Sequence, residues 1–299
     1  MSHADWLTKV AHLNVYKAKH GLAPHKPLLL LVVIEMAERG ALRDRRLQLT
    51  PEVAFRFTTL WPIVSYRRTQ KPDIRMPFYH LSSQKFWQPF MGNGELSPDK
   101  KLTCYVTLDE EFLSLLQSSA FRNQARRILI AKWFLPAERN ALYVLYRIPV
   151  PSHDEIARDA QFELPDDAKR VGREARFRLD VVPAYDYSCA LTGYRVTTIH
   201  AGSIVDAAHI HAFKDSCNND PRNGIALCKN AHWLFDNGLW SIDDDYRIIV
   251  AREQFMEESP DQITLKEYHG KKIRLPENVA LWPAQRHLSW HRKHCLLTA

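Results

Sequence analysis

IVDAAHIHAFKDSCNNDPRNGIALCKNAHWLFD, residues 204–236, is the stretch whose reading decides the fold of this chain. The run Ile204-Val205-Asp206-Ala207-Ala208 is short, apolar and strand-like, and His209 closes it. Asp215 to Arg222 is crowded with turn formers, and Asn223-Gly224-Ile225-Ala226-Leu227 then reads as the return strand. His232 and Asp236 stand four apart, so a helix over Asn230–Asp236 sets both on one face. Two strands and a helix aiming these side chains into one cleft would make a hydrolytic site with a metal holder.

Elementary chemistry supports that reading. Water attacking a phosphodiester needs a base that titrates near neutrality, which is the range of histidine. The leaving 3′ oxygen develops charge, and a divalent cation beside it stabilises that charge. Imidazole, carboxylate and amide ligands leave positions open for phosphate oxygen and water, as Mg²⁺, Mn²⁺ or a later transition metal requires. The competing reading is that these are ordinary polar residues of a small α/β unit.

The order of these residues resembles the HNH (ββα-metal) nucleases: a His ending the first strand, an Asn, a His nine residues further and an acid one helical turn later. The resemblance implies that His209 is the general base and that Asn223 orients it or touches the metal. It also implies that His232 and Asp236 hold a divalent ion. This chain has Ala208 where the family often has a ligand just before the base. Asp206 is the candidate replacement, although strand alternation turns Asp206 and Ala208 to one face and His209 to the other.

At 299 residues the chain has room for two domains. No apolar run approaches the roughly 20 residues of a membrane span, and Met1–Trp6 is not a signal peptide. The net charge of +7 and pI near 9.1 suit a polyanionic partner without requiring one. Five scattered cysteines, an odd number, argue against a disulfide framework and for a reducing cytoplasm. Some HNH proteins carry CxxC pairs on both sides of the site. Here Cys189…Thr192 and Cys228…Ala231 each keep one Cys, so no complete structural zinc site is expected.

Upstream, apolar periodicity predicts a helix over Trp6–His20 and a second, apolar nearly all round, over Leu28–Arg39, with Pro27 in its first turn and Gly40 ending it. A third helix opens at the Leu49–Pro51 turn and continues through Trp61. Arg67–Arg75 reads as a basic loop, and Met76–Leu81 with Lys85–Phe90 as paired short strands. Further helices are expected over Asp109–Leu116, Phe121–Phe134, Arg173–Val181 and Arg252–Glu258, and a basic, aromatic closing helix over His287–His294. Composition shifts to Pro, Asp, Glu and Ala between about Ile148 and Arg170. The expected organisation is α+β: a mainly helical DNA-recognition domain with short strands at 1–147, a linker at 148–172, and a ββα-metal nuclease domain at 173–299.

Two segments of the first domain carry chemistry. Pro24-His25-Lys26-Pro27 sets an imidazole and an ammonium at a helix N-terminus, where exposed N–H groups and the dipole favour anions. Arg75-Met76-Pro77-Phe78-Tyr79-His80 sets apolar surface beside cations. Together, GLAPHKPLLLL (21–31) and MPFYHLSSQKFW (76–87) resemble the sulfur-binding domain of phosphorothioate-dependent, McrA-like type IV restriction endonucleases, which join it to a C-terminal HNH domain. Met76 stands where relatives often have Tyr. The resemblance implies double-stranded, phosphorothioate-modified DNA as partner. Met76 and Pro77 would wall a sulfur cavity, His25, Lys26 and Arg75 would hold the charge, and Tyr79 and His80 would assist. Sulfur is larger and more weakly hydrated than oxygen, so a shallow apolar cavity favours it, by about 1–3 kcal/mol if one ill-made polar contact sets the scale. A homodimer is expected, since one HNH site cuts one strand. Two alternatives stay open: an HNH nuclease for methylated or unmodified DNA, and a DNA-binding regulator without catalysis.

Overall fold

In the computed structural model, residues 3–18, 21–65, 72–149, 166–258 and 263–297 are described. The basic run 67–71 and most of the expected linker, 150–165, lie outside them. The chain divides into two compact units, Met1–Ala175 with Thr198–Gly202, and Arg176–Thr197 with Ser203–Ala299.

The first unit is built around one helix. The sequence HKPLLLLVVIEMAE forms α2 (His25–Glu38), which follows α1 (His3–Ala11) and a two-residue pair, β1 (Lys17–Ala18) with β2 (Gly21–Leu22). Leu28 to Ile34 are all at most 2% exposed, so neighbours cover this helix on every side. At roughly 1.5–3 kcal/mol per fully buried aliphatic side chain, these seven contribute on the order of 10–20 kcal/mol before entropy is subtracted. Gly40 then takes a φ of 69°, which a residue with a Cβ adopts only with strain.

Around α2 pack α3 (Pro51–Leu60), α4 (Arg75–His80), α5 (Glu110–Gln117) and α6 (Ser119–Trp133), and α7 (Pro136–Tyr146) packs against α6. Side-chain caps start three of them: Thr50 accepts from Val53 N at 3.4 Å, Asp109 from Glu111 N at 2.9 Å and Ser118 from Phe121 N at 3.5 Å. A three-stranded antiparallel sheet completes the unit, with β5 (Tyr105–Leu108) between β3 (Arg46–Gln48) and β4 (Trp87–Phe90). Pro89, which lacks an N–H, is accommodated on an edge strand.

Three expectations need correction. The first helix ends at Ala11, and the chain turns into β1 before His20. Met76–Leu81 is helical, where a strand paired with Lys85–Phe90 was expected; β4 pairs with β5. Pro77 sits in the first turn of α4, where its ring does no harm, and the Trp87 indole N–H donates to the Phe78 carbonyl at 2.7 Å to fasten α4 against β4. Arg252–Glu258 forms no regular helix.

The second unit takes in the latter part of α8 (Asp166–Ala184), whose early residues 166–172 fall in the stretch read as linker. In β6 (Val205–His209) and β7 (Gly224–Cys228) the antiparallel register runs from Val205↔Cys228 to His209↔Gly224. Between them lie α9 (Phe213–Ser216) and a loop, and β7 leads directly into α10 (Lys229–Asp236). The hairpin β8 (Trp240–Ile242) with β9 (Ile248–Val250) and the closing helix α11 (Gln285–His294) pack behind this motif. Phe177, Val181, Ile225, Phe235, Trp240 and Leu288 form its core, each at most 2% exposed.

Candidate active site and DNA-contact cavity

His209, at the end of β6, lines a cleft of about 600 Å³ together with His232 and Asp236 of α10. The i, i+4 spacing does what helical geometry dictates: His232 Nε2 lies 3.3 Å from Asp236 Oδ2. Burial pushes the Asp236 carboxyl above the usual carboxylate range, against the opposing pull of the His232 and His209 imidazoles.

Two residues that spacing did not reveal hold His209. Its ring lies flat on Phe177 of α8, centroids 3.9 Å apart and planes within 5°. Its Nε2 lies 2.9 Å from Oδ1 of Asn219, an acceptor that favours the tautomer with the proton on Nε2 and Nδ1 as the accepting nitrogen. The stack depends on glycine at 224, opposite His209 in the ladder. A Cβ there would lie 2.4 Å from Val181 Cγ2 and 2.8 Å from Phe177 Cζ.

Asn223 lies elsewhere than expected. It is fully buried and does not line the cleft. Its Oδ1 accepts from His211 N at 2.8 Å, and its Nδ2 donates to His211 O at 2.9 Å and to Asn218 O at 3.0 Å. It clamps the loop that carries Asn219. Asp206 is also outside the cleft: its carboxylate pairs with Arg178 at 2.9 Å, while Ala208 is fully buried.

Helix α11 contributes more than a closing face. Trp290 and His294 line the cleft, and His211, Trp290 and His294 stack in series, with centroids 3.8 and 4.9 Å apart. His291 also borders it but is structural: its ring stacks on Phe235 at 3.7 Å and bonds to Ser241 Oγ at 2.9 Å, and burial pushes its pKa down to about 4. Cys189 is buried and Cys228 half-buried. A hydrogen bond from the Cys228 thiol holds Cys189 below the usual thiol value and Cys228 above it.

Among the described residues, no three His, Cys, Asp or Glu side chains are placed to hold an ion together. The donor set His232 plus Asp236, one imidazole and one carboxylate, fits a divalent ion such as Mn²⁺ or a later transition metal that takes its remaining ligands from phosphate and water.

In the first unit, a cavity of about 570 Å³ brings together His25, Lys26, Met76, Pro77 and His80, five of the residues expected there. Arg75 and Tyr79 do not line it, and the Tyr79 hydroxyl donates to Pro98 O at 2.7 Å instead. The His25 ring packs against Trp61 at 4.9 Å. Lys26 Nζ reaches Asn14 O at 2.6 Å and Ser83 Oγ at 2.9 Å, and burial lowers its pKa. His80 is held below the usual imidazole value by burial, then by Lys26 and Lys100. Lys100 and Asp73 also line this cavity, and only their positions in the fold reveal it.

Residues 3–147 match the family model of the ScoMcrA-like DNA sulfur-binding domain, and residues 189–243 match that of the HNH endonuclease. Among solved structures, one titled a modification-dependent TagI restriction endonuclease is 22% identical, with 50% of this chain and 45% of that one covered and a TM-score of 0.32. The chain therefore spans under half the length of that protein. The sulfur-binding domain of SprMcrA complexed with phosphorothioated DNA is 21% identical over 48% of this chain and 92% of that one, TM-score 0.40. That of ScoMcrA, likewise complexed, is 22% identical over 44% and 90%, TM-score 0.34. The curated proteins gave no match. The two family models, not these loose superpositions, carry the comparison: one chain joins a region matching a ScoMcrA-like DNA sulfur-binding domain to a region matching an HNH endonuclease domain.

Proposed function

We propose that this chain is a metal-dependent endonuclease that recognises phosphorothioate-modified double-stranded DNA through its first unit and hydrolyses phosphodiester bonds at the cleft of its second. The observation that carries the reading is the meeting of His209 with His232 and Asp236 in one cleft. His209 Nδ1 takes the proton of the attacking water. Asn219 fixes the tautomer and Phe177 the plane of the ring, so the base is oriented before substrate arrives. His232 and Asp236 would hold the divalent ion. When bound, that ion supplies charge stabilisation at the leaving 3′ oxygen. Ala208 offers no ligand where the family often has one, so phosphate and water would complete the coordination.

In the first unit, Met76 and Pro77 would meet the sulfur, with His25, Lys26 and His80 around the charged linkage. Two copies acting on opposite strands would make a double-strand break. The test is cleavage of phosphorothioate-modified and plain plasmid of one sequence with Mg²⁺, Mn²⁺ or no metal. Cutting confined to modified plasmid with metal is expected. Equal cutting of both plasmids would overturn the sulfur reading, and cutting in chelator would overturn the metal reading.

A further inference from the structure

One carboxylate stands among the cations of the first unit's cavity. Asp73 lines it with Lys26, Lys100, His25 and His80. Asp73 Oδ2 lies 3.0 Å from Lys100 Nζ, and Oδ1 accepts the Arg75 backbone N–H at 3.1 Å, which fixes the carboxylate at the start of α4. Lys100 Nζ also lies 2.9 Å from the Met76 sulfur. Lys26 is engaged as well, by Asn14 O and Ser83 Oγ. Among the described residues, both ammonium groups lining the cavity are thus held by acceptors of the protein itself. An acid beside a polyanion site weakens the binding of every phosphate, and such a repulsive element is how a site gains selectivity at the expense of affinity.

We propose that Asp73 is a specificity-determining residue: by engaging Lys100, it withholds the ammonium that an ordinary phosphate oxygen needs on entering the cavity and that sulfur does not. A phosphate oxygen gives up strong hydration and requires a charge-assisted donor in exchange. Sulfur is weakly hydrated and gives up less, so the same missing donor costs it less. Selectivity then comes from an attraction removed as much as from the apolar wall of Met76 and Pro77. This inference rests on the proposed reading of the cavity as a sulfur site.

The test uses the full chain without divalent metal. Fluorescence anisotropy reports binding to two labelled duplexes of one sequence, one carrying phosphorothioate linkages and one plain. Asp73→Asn keeps an oxygen for the Arg75 N–H and removes the charge that holds Lys100. The plain duplex should then bind about tenfold more tightly, and the modified duplex gain no more than about threefold, so the preference shrinks. Adding Lys100→Gln to Asp73→Asn should restore the preference, and Lys100→Gln alone should leave it in place. An unchanged ratio of affinities in Asp73→Asn, or a preference lost in Lys100→Gln alone, overturns the role of Asp73. A wild-type chain without any preference overturns the sulfur reading itself, and the inference with it.

Discussion

Replacing Asn223 by Ala tests whether that residue is a clamp or part of the chemistry. Its side chain makes three hydrogen bonds, at 2.8, 2.9 and 3.0 Å, to backbone groups of His211 and Asn218. Each is worth about 1 kcal/mol net, and the three groups left behind sit where Asn223 is fully buried, so the loss should come to roughly 3–5 kcal/mol. For a unit of this size that is a fall of about 10 °C or more in melting temperature. Asn223→Asp should do no better. It keeps an acceptor for His211 N but turns a carboxylate towards two carbonyl oxygens, an uncompensated buried charge. Calorimetry of the full chain reads the melting of the second unit, and a cleavage assay at low temperature reads activity. Cutting should fall in step with stability, because the clamped loop carries Asn219 and Asn219 holds His209. An unchanged melting temperature with cutting abolished would refute the clamp and return Asn223 to the reaction.

Gly224→Ala should displace Phe177 or Val181, costing about 1–3 kcal/mol by overpacking and lowering cutting more than DNA binding; wild-type cutting in this variant would contradict the role given to the Phe177 stack. Asp236→Asn should weaken Mn²⁺ binding at least about tenfold by titration calorimetry and leave duplex binding intact. Since burial raises the Asp236 carboxyl, protons should compete with Mn²⁺ there at higher pH than for an ordinary aspartate, and because the His232 imidazole must also be neutral to ligate, affinity should fall as pH drops. His80 is held low by burial and by Lys26 and Lys100, in a cavity that also holds His25 and Asp73. A bound anion opposes that shift, so binding takes up a proton and duplex affinity should rise as pH falls through the imidazole range. His80→Gln should flatten the profile, and an equally steep profile in that variant would rule His80 out.

Much of the second unit was legible because local rules and the tertiary structure agree there. A five-residue apolar run, an Asn-Gly start to the return strand and an i, i+4 pair leave little freedom in β6, β7 and α10. The same holds for α2, whose all-round apolar surface could only be core. Met76–Leu81 misled because aromatic content suggests a half-buried pleated surface, whereas contacts with α2 and β4 decide the matter. Within the site, spacing named His209, His232 and Asp236 but could not say which asparagine reaches the imidazole. Asn219 lies in a run of turn formers that gives no hint of reach, and Phe177 is separated from His209 by 32 positions. Asp206 followed the alternation rule, and its partner Arg178 arrives from a different element.

The most direct test of the catalytic account is single-turnover cutting of modified duplex in Mn²⁺ by wild type and His209→Ala, with duplex binding measured alongside. The account predicts cutting lower by at least about a hundredfold in the variant, as for loss of a general base, with binding within about twofold of wild type. Full cutting by His209→Ala would contradict it.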